Sequence, residues 1–171
     1  MKGDKASSKI GQRLWSRDVS LWTGEVDAQA AIENRLGWLD APAWFRSKIN
    51  GLLSWADEIR AARFDRAVVL GMGGSSLAAE VMARIFGQGP GGLALTVLDN
   101  THPDAVRAVL ESGHLESTLF LVASKSGTTL EANVFLATFL EALRQRIGTE
   151  AGNHFVVITD ADTPLARLAA D

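Results

Sequence analysis

Four short apolar runs, each closed by a turn and each followed by helical spacing, limit this chain to few folds. The runs lie at about Arg66–Leu70, Leu93–Leu98, Thr118–Ser124 and His154–Thr159, and helices are expected to begin near Ser75, Pro103, Thr128 and Thr163. Most of these runs are continuously apolar rather than alternating, as a strand covered on both faces requires. Strand and helix taken in turn, with short connections, give a parallel, doubly wound α/β sheet in three αβα layers. The third helix supports this pattern, with Leu136, Leu140, Leu143 and Ile147 on one face and Asn133, Glu141, Arg144 and Gln145 elsewhere. The helix after the first run carries Leu77, Val81, Met82 and Ile85 at helical spacing, and Thr101-His102-Pro103-Asp104 has the pattern of a helix start.

The region before this pattern has a different character. All five tryptophans (Trp15, Trp22, Trp38, Trp44 and Trp55) precede the first strand run. Ala28, Ile32, Leu36 and Leu39 form one amphipathic face; Phe45, Ile49, Leu52, Ala56 and Ile59 form another, with Pro42 near its start where proline is tolerated. We therefore divide the chain into a helical, tryptophan-rich segment (residues 1–62) and an α/β domain (residues 63–171). The tryptophans are expected to pack helices against a neighbouring layer; an exposed cluster would instead mark a binding surface. Met1 to Ser8 reads as a flexible polar tail and not as a signal peptide.

Composition excludes several classes of function. With 171 residues, 47% hydrophobic and 22% charged, the chain can bury a core. A net charge of −3 provides no electrostatic footprint for nucleic acid. There is no cysteine, so disulfides and thiolate metal sites are ruled out, and neither a metal nor a cofactor is expected. No apolar run approaches the roughly 18 residues of a membrane helix. A cytoplasmic location is the expectation.

Two turns carry the chemistry. Ser124-Lys125-Ser126-Gly127-Thr128-Thr129 follows the third strand run and precedes a helix. The hydroxyls surround a glycine free to take positive φ, and the first N–H groups of a helix lack partners and carry partial positive charge. Such a turn suits an anion, and a phosphate monoester fits best. The competing explanation is an ordinary capping box from Thr128 to Glu131, which needs no ligand. The second turn, Gly71-Met72-Gly73-Gly74-Ser75-Ser76, follows the first strand run. Its glycines let backbone approach a ligand closely, although a tight turn would need glycine as well. In a parallel sheet both turns open at the carboxyl edge, where open α/β sheets bind ligands.

These residues also carry a family resemblance. Ser124 to Glu131 resembles the signature of sugar isomerase (SIS) domains, and Gly71 to Leu77 resembles the glycine turn of phosphoglucose isomerases within that superfamily. Arg35-Leu-Gly-Trp-Leu-Asp40 is similar to the segment preceding this domain in bacterial phosphoglucose isomerases fused to a transaldolase. The resemblance implies that Ser124, Ser126 and Thr129 hold the sugar phosphate with the Lys125 backbone. It implies that Gly73, Gly74 and Ser75 line the sugar, that Gly127 and Thr128 complete the cradle, and that Glu131 supports the site without abstracting the substrate proton. The sequence departs from the family at Gly127, where many members carry a bulky residue. It departs again at Ala132, where a threonine often adds a phosphate contact, so weaker phosphate binding is expected.

The implied activity interconverts glucose 6-phosphate and fructose 6-phosphate through an enediol, which needs a base and a ring-opening acid. In the family these groups lie downstream, beyond the position matching Asp171. The expectation is a sugar-phosphate-binding half of the isomerase, inactive alone, that pairs as a homodimer or with a second SIS domain. His114 and His154 are expected in solvated or satisfied roles and His102 in a helix-start loop; Asp99, ending the second strand, touches a ligand hydroxyl or only forms the turn. Two alternatives remain. One is a non-catalytic SIS sugar-phosphate sensor, although no basic recognition helix accompanies the domain. The other is a dinucleotide domain, which Gly71 to Ser76 and Asp99 permit but which leaves Ser124 to Thr129 unexplained.

Overall fold

Strands form where the apolar runs stand. In the computed structural model, which describes residues 4–170, they are β1 (Arg66–Gly71), β2 (Ala94–Leu98), β3 (Thr118–Ala123) and β4 (Phe155–Ile158). The helices are α1 (Asp4–Trp15), α2 (Val26–Glu33), α3 (Ala41–Ala61), α4 (Leu77–Phe86), α5 (Pro103–Leu110), α6 (Leu130–Ile147) and α7 (Pro164–Leu168). The sheet order is β2-β1-β3-β4, with every pair parallel. The connection from β1 to β2 runs one way across the sheet, and those from β2 to β3 and on to β4 run the other way. Right-handed crossovers then place α4 on one face and α5 and α6 on the opposite face. The reversal falls between β1 and β3, which are neighbours in register from Arg66 opposite Thr118 to Gly71 opposite Ala123. This is the topological switch point of a doubly wound sheet.

The core lies between the sheet and α6. Val68 and Leu70 from β1, Phe120 and Val122 from β3, and Ala132, Phe135, Phe139 and Leu143 from α6 are all buried. The Phe120 ring stacks on Phe139 and on Phe155, with centroids 4.9 and 5.0 Å away. Each such side chain contributes about 1.5–3 kcal/mol through burial. The central strands β1 and β3 are buried along nearly their whole length, whereas the edge strands β2 and β4 are partly exposed. The apolar stripe of α4 is exposed: Leu77, Val81, Met82 and Ile85 all face outward. Helical spacing identifies a stripe but not what covers it.

The chain divides into two compact units, Met1–Ala56 and Asp57–Asp171, and α3 runs across the division. Among the described residues of the first unit, the buried apolar ones are Leu36 and Leu39. The five tryptophans do not form a core as expected; their exposure runs from 39% at Trp55 to 65% at Trp15. A unit of this size has little interior surface with which to enclose five indoles. The expected tail also differs, because α1 covers Asp4 onward; Met1–Gly3 lie outside the described residues. The turn after α1 is held by Asp18, which accepts from Arg13 Nε at 2.6 Å and from the Ser20 backbone and hydroxyl. The Arg13 hydrogen bond, followed by those from Ser20, lowers the Asp18 pKa to about 2.

Candidate functional site

The first turn leaves β1 at Gly71, pressed against β3. A Cβ there would meet the Ala123 carbonyl oxygen at 3.0 Å and the Ser75 Cβ at 3.2 Å, so glycine is what lets the turn close over the neighbouring strand. A single 3-10 turn, Gly73–Ser75, follows, with Gly73 at φ +52. Ser76 is buried; its hydroxyl donates back to the Gly73 carbonyl at 3.0 Å and accepts from none of the α4 amides. The first intrahelical bond of α4 runs from the Glu80 N–H to the Ser76 carbonyl. Among the described residues, the N–H groups of Gly73, Gly74, Leu77, Ala78 and Ala79 find no protein acceptor.

The second turn leaves β3 at Ser124, which is buried. Its backbone N–H donates to the Ile158 carbonyl at 3.0 Å, and its carbonyl accepts from Gly127 N–H at 3.1 Å, closing a tight turn over Lys125 and Ser126. The Ser124 hydroxyl donates to Thr129 Oγ1 at 2.8 Å. Ser126 Oγ lies 2.9 Å from Thr128 Oγ1 and accepts the Thr128 N–H at 3.2 Å. These bonds overturn the capping-box reading. The N-cap of α6 is Thr129, not Thr128, and its hydroxyl caps nothing. Thr128 N–H is satisfied by Ser126 rather than by Glu131, so Glu131 sits in the first turn of α6 without that duty. The first intrahelical bond runs from Asn133 N–H to the Thr129 carbonyl. Among the described residues, the N–H groups of Ser126, Thr129, Leu130, Glu131 and Ala132 have no protein acceptor.

The other two helix starts on the same edge are built differently. At α5 the His102 Nδ1 accepts the Asp104 N–H at 3.3 Å. At α7 the Thr163 Oγ1 accepts the Ala166 N–H at 3.0 Å. The helices after the outer strands β2 and β4 are therefore capped by side chains, while those after the inner strands β1 and β3 are not. The uncapped pair flanks the switch point, and the aligned N–H dipoles there favour negative charge.

The residues expected at the site thus fall on two adjacent turns of one edge: Gly73, Gly74 and Ser75 after β1, and Ser124 to Thr129 after β3. Lys125 is exposed, and its carbonyl accepts from Asp160 N–H at 3.1 Å and from the Thr159 hydroxyl at 3.3 Å. Asn133 Nδ2 donates to the Gly127 carbonyl at 3.3 Å. Thr159, Asp160 and Thr163 escape a reading of the sequence as parts of this site, because their contact with the turn depends on β4 lying beside β3. The histidines hold structural partners: His102 caps α5, His114 Nδ1 lies 3.3 Å from Asp65, and His154 Nδ1 lies 3.0 Å from the Thr118 carbonyl. Asp99, after the outer strand β2, contacts Asn100 at 3.5 Å. An open groove of about 630 Å³ between α6 and α7 is lined by Leu136, Leu140, Leu165 and Leu168 together with Asn133, Glu141 and Arg144; of the two turns only Gly127 reaches it.

Residues 46–171 match the model of the phosphoglucose isomerase family. The chain belongs to that family. A glucose-6-phosphate isomerase of Geobacter sulfurreducens is 37% identical over 182 aligned residues, covering 92% of this chain and 34% of that protein. A glucose-6-phosphate isomerase of Chlamydia trachomatis serovar D is 35% identical over 108 residues, covering 63% of this chain and 20% of that one. Among solved structures, a hypothetical protein of Thermus thermophilus superposes with a TM-score of 0.71 at 28% identity, over 98% of this chain and 38% of its own. The glucose-6-phosphate isomerase of Chlamydia trachomatis gives 0.63 at 28% identity, over 89% of this chain and 28% of its own. This phosphoglucose isomerase family chain therefore spans between about a fifth and a third of the length of these curated relatives.

Proposed function

We propose that the crevice between the β1 and β3 turns holds the phosphate of a sugar phosphate, and that the chain is the sugar-phosphate-binding part of a glucose-6-phosphate isomerase. The observation that carries this reading is the pair of helix starts, α4 and α6, that lack side-chain caps at the switch point. Ser124, Ser126 and Thr129 supply hydroxyls beside the α6 amides, Gly127 and Thr128 shape the turn, and Gly73, Gly74 and Ser75 face the sugar. The family membership and the relatives named glucose-6-phosphate isomerase supply the substrate class.

Holding the phosphate fixes the reacting carbons but does not move a proton, which requires a base within about 3 Å. Glu80 is paired with Arg84 at 2.5 Å, and Asp99 follows an outer strand. Glu131 remains in the first turn of α6, in the supporting role. Residues 1–171 are thus proposed to bind without isomerising, since binding alone does not lower the barrier.

Titration of the 171-residue chain with glucose 6-phosphate is expected to shift the amide signals of Gly73–Ser75 and Ser124–Thr129, with inorganic phosphate moving the second set. NAD is expected to move neither; shifts at Gly71–Ser76 with NAD alone would favour a dinucleotide site. In a coupled assay of fructose 6-phosphate conversion the chain is expected to give background rates. Turnover that disappears on Glu131→Gln would make Glu131 the base.

A further inference from the structure

The connection between β4 and α7 contributes nothing expected to touch a ligand, yet it is bonded to the phosphate turn at several points. The Ala166 N–H donates to Thr163 Oγ1 at 3.0 Å, Thr163 Oγ1 lies 2.9 Å from Thr159 Oγ1, and the Thr159 hydroxyl donates to the Lys125 carbonyl at 3.3 Å. A hydroxyl has one hydrogen. Since Thr159 directs its hydrogen to Lys125, Thr163 must donate to Thr159, and the whole series runs one way, from the α7 amide to the Lys125 carbonyl. Asp160 N–H occupies the second acceptor position of that carbonyl at 3.1 Å.

Both acceptor positions being filled, the Lys125–Ser126 peptide plane has one orientation. In a trans peptide the N–H points opposite to the C=O. The Ser126 N–H is therefore turned away from the β4–α7 connection, and it is one of the donors without an acceptor among the described residues. The next residue is held by shape. Gly127 has φ +66, and a Cβ there would lie 2.7 Å from Thr163 Cβ and 2.8 Å from its Oγ1. Thr163 therefore packs directly against the backbone of the turn, in the space a side chain would need.

We propose that Thr159 and Thr163 are positioning residues for the phosphate turn: they set the direction of the Ser126 N–H and reserve position 127 for glycine. This rests on the phosphate reading given above. It also accounts for the departure at position 127 noted from the sequence, because a bulky residue there and threonine at 163 exclude each other.

Thr159→Val tests the idea without touching the α7 cap or the packing on Gly127. The substitution removes a hydroxyl that donates to Lys125 and accepts from Thr163; it is expected to weaken binding of inorganic phosphate and of glucose 6-phosphate equally, by about fivefold, and Thr159→Ser is expected to restore both. In the ligand-free chain, exchange of the Gly127 amide is expected to quicken by about fivefold in Thr159→Val and to return in Thr159→Ser. Wild-type phosphate affinity in Thr159→Val, or an equal loss in valine and serine variants, would overturn the positioning role. If the wild-type chain binds no phosphate, the functional reading fails by itself, and unchanged Gly127 exchange in Thr159→Val would then overturn the positioning role separately.

Discussion

Four helices begin along one edge of the same sheet, and they begin in two ways. Those after the outer strands are closed by a side chain: His102 for α5 and Thr163 for α7. Those after the inner strands are not, although Ser76 and Thr129 are residue types that cap well. Each hydroxyl is turned to another partner, Ser76 donating to the Gly73 carbonyl and Thr129 accepting from Ser124. A missing cap forgoes about 1 kcal/mol, so the inner pair is less stable locally than it needs to be. Local rules broken at one place and obeyed beside it mark where a fold has been adapted to something other than its own stability.

The comparison breaks most sharply at α6. Hydrogen bonds to a charged group contribute about 1.5–3 kcal/mol, so Ser124→Ala or Thr129→Val is expected to weaken phosphate binding by roughly tenfold to a hundredfold in calorimetric titration. Lys125→Ala is expected to lose less, because its backbone faces the turn; if it proves the most damaging, a point charge and not a cradle holds the anion. Gly127→Ala comes next. Positive φ and the contact with Thr163 are expected to destabilise the chain by about 1–3 kcal/mol in urea unfolding. Combining it with Thr163→Ala is expected to be less than additive, since the two share one space.

At the capped starts the first effect is on stability. Thr163→Ala is expected to lower stability by about 1 kcal/mol, and His102→Ala by about half that at a more exposed position. Phosphate affinity is expected to be unchanged in the His102 variant; a loss there as large as at Thr129 would erase the distinction between inner and outer helices. The smallest effect belongs to a charged start in the other unit. Asp18 is held near pKa 2, below its ordinary value of 3.8. Its contribution is therefore complete above about pH 4 and disappears as pH falls through 2. Its carboxyl carbon followed by NMR is expected to titrate near pH 2, and at higher pH in Arg13→Ala, where the Ser20 hydrogen bonds remain.

The same contrast shows what can be read from a sequence. Strand positions and helix starts follow from apolar runs and turn chemistry, both of which are local. The capping box does not follow. Thr128 and Glu131 match its spacing, but Ser126 reaches the Thr128 amide first, and the helix starts at Leu130. Thr159 is joined to Lys125 across 34 residues, and no local pattern predicts that β4 lies beside β3. The tryptophans and the α4 stripe fail for a related reason: amphipathic spacing shows which residues share a face and is silent on whether that face is covered.

One consequence follows from the register of β1 and β3. Gly71 stands opposite Ala123, so the two turns hang from neighbouring strands that are the most buried in the sheet. An anion bridging both turns can leave by diffusion, but the turns cannot part without separating the central strand pair. On the proposed function, bound phosphate would therefore count against unfolding of the whole α/β unit by mass action, adding about 2.7 kcal/mol when the free ligand stands at about 100 times its Kd. A melting temperature that rises with the logarithm of sugar-phosphate concentration thus becomes a direct binding isotherm, readable without any catalytic turnover.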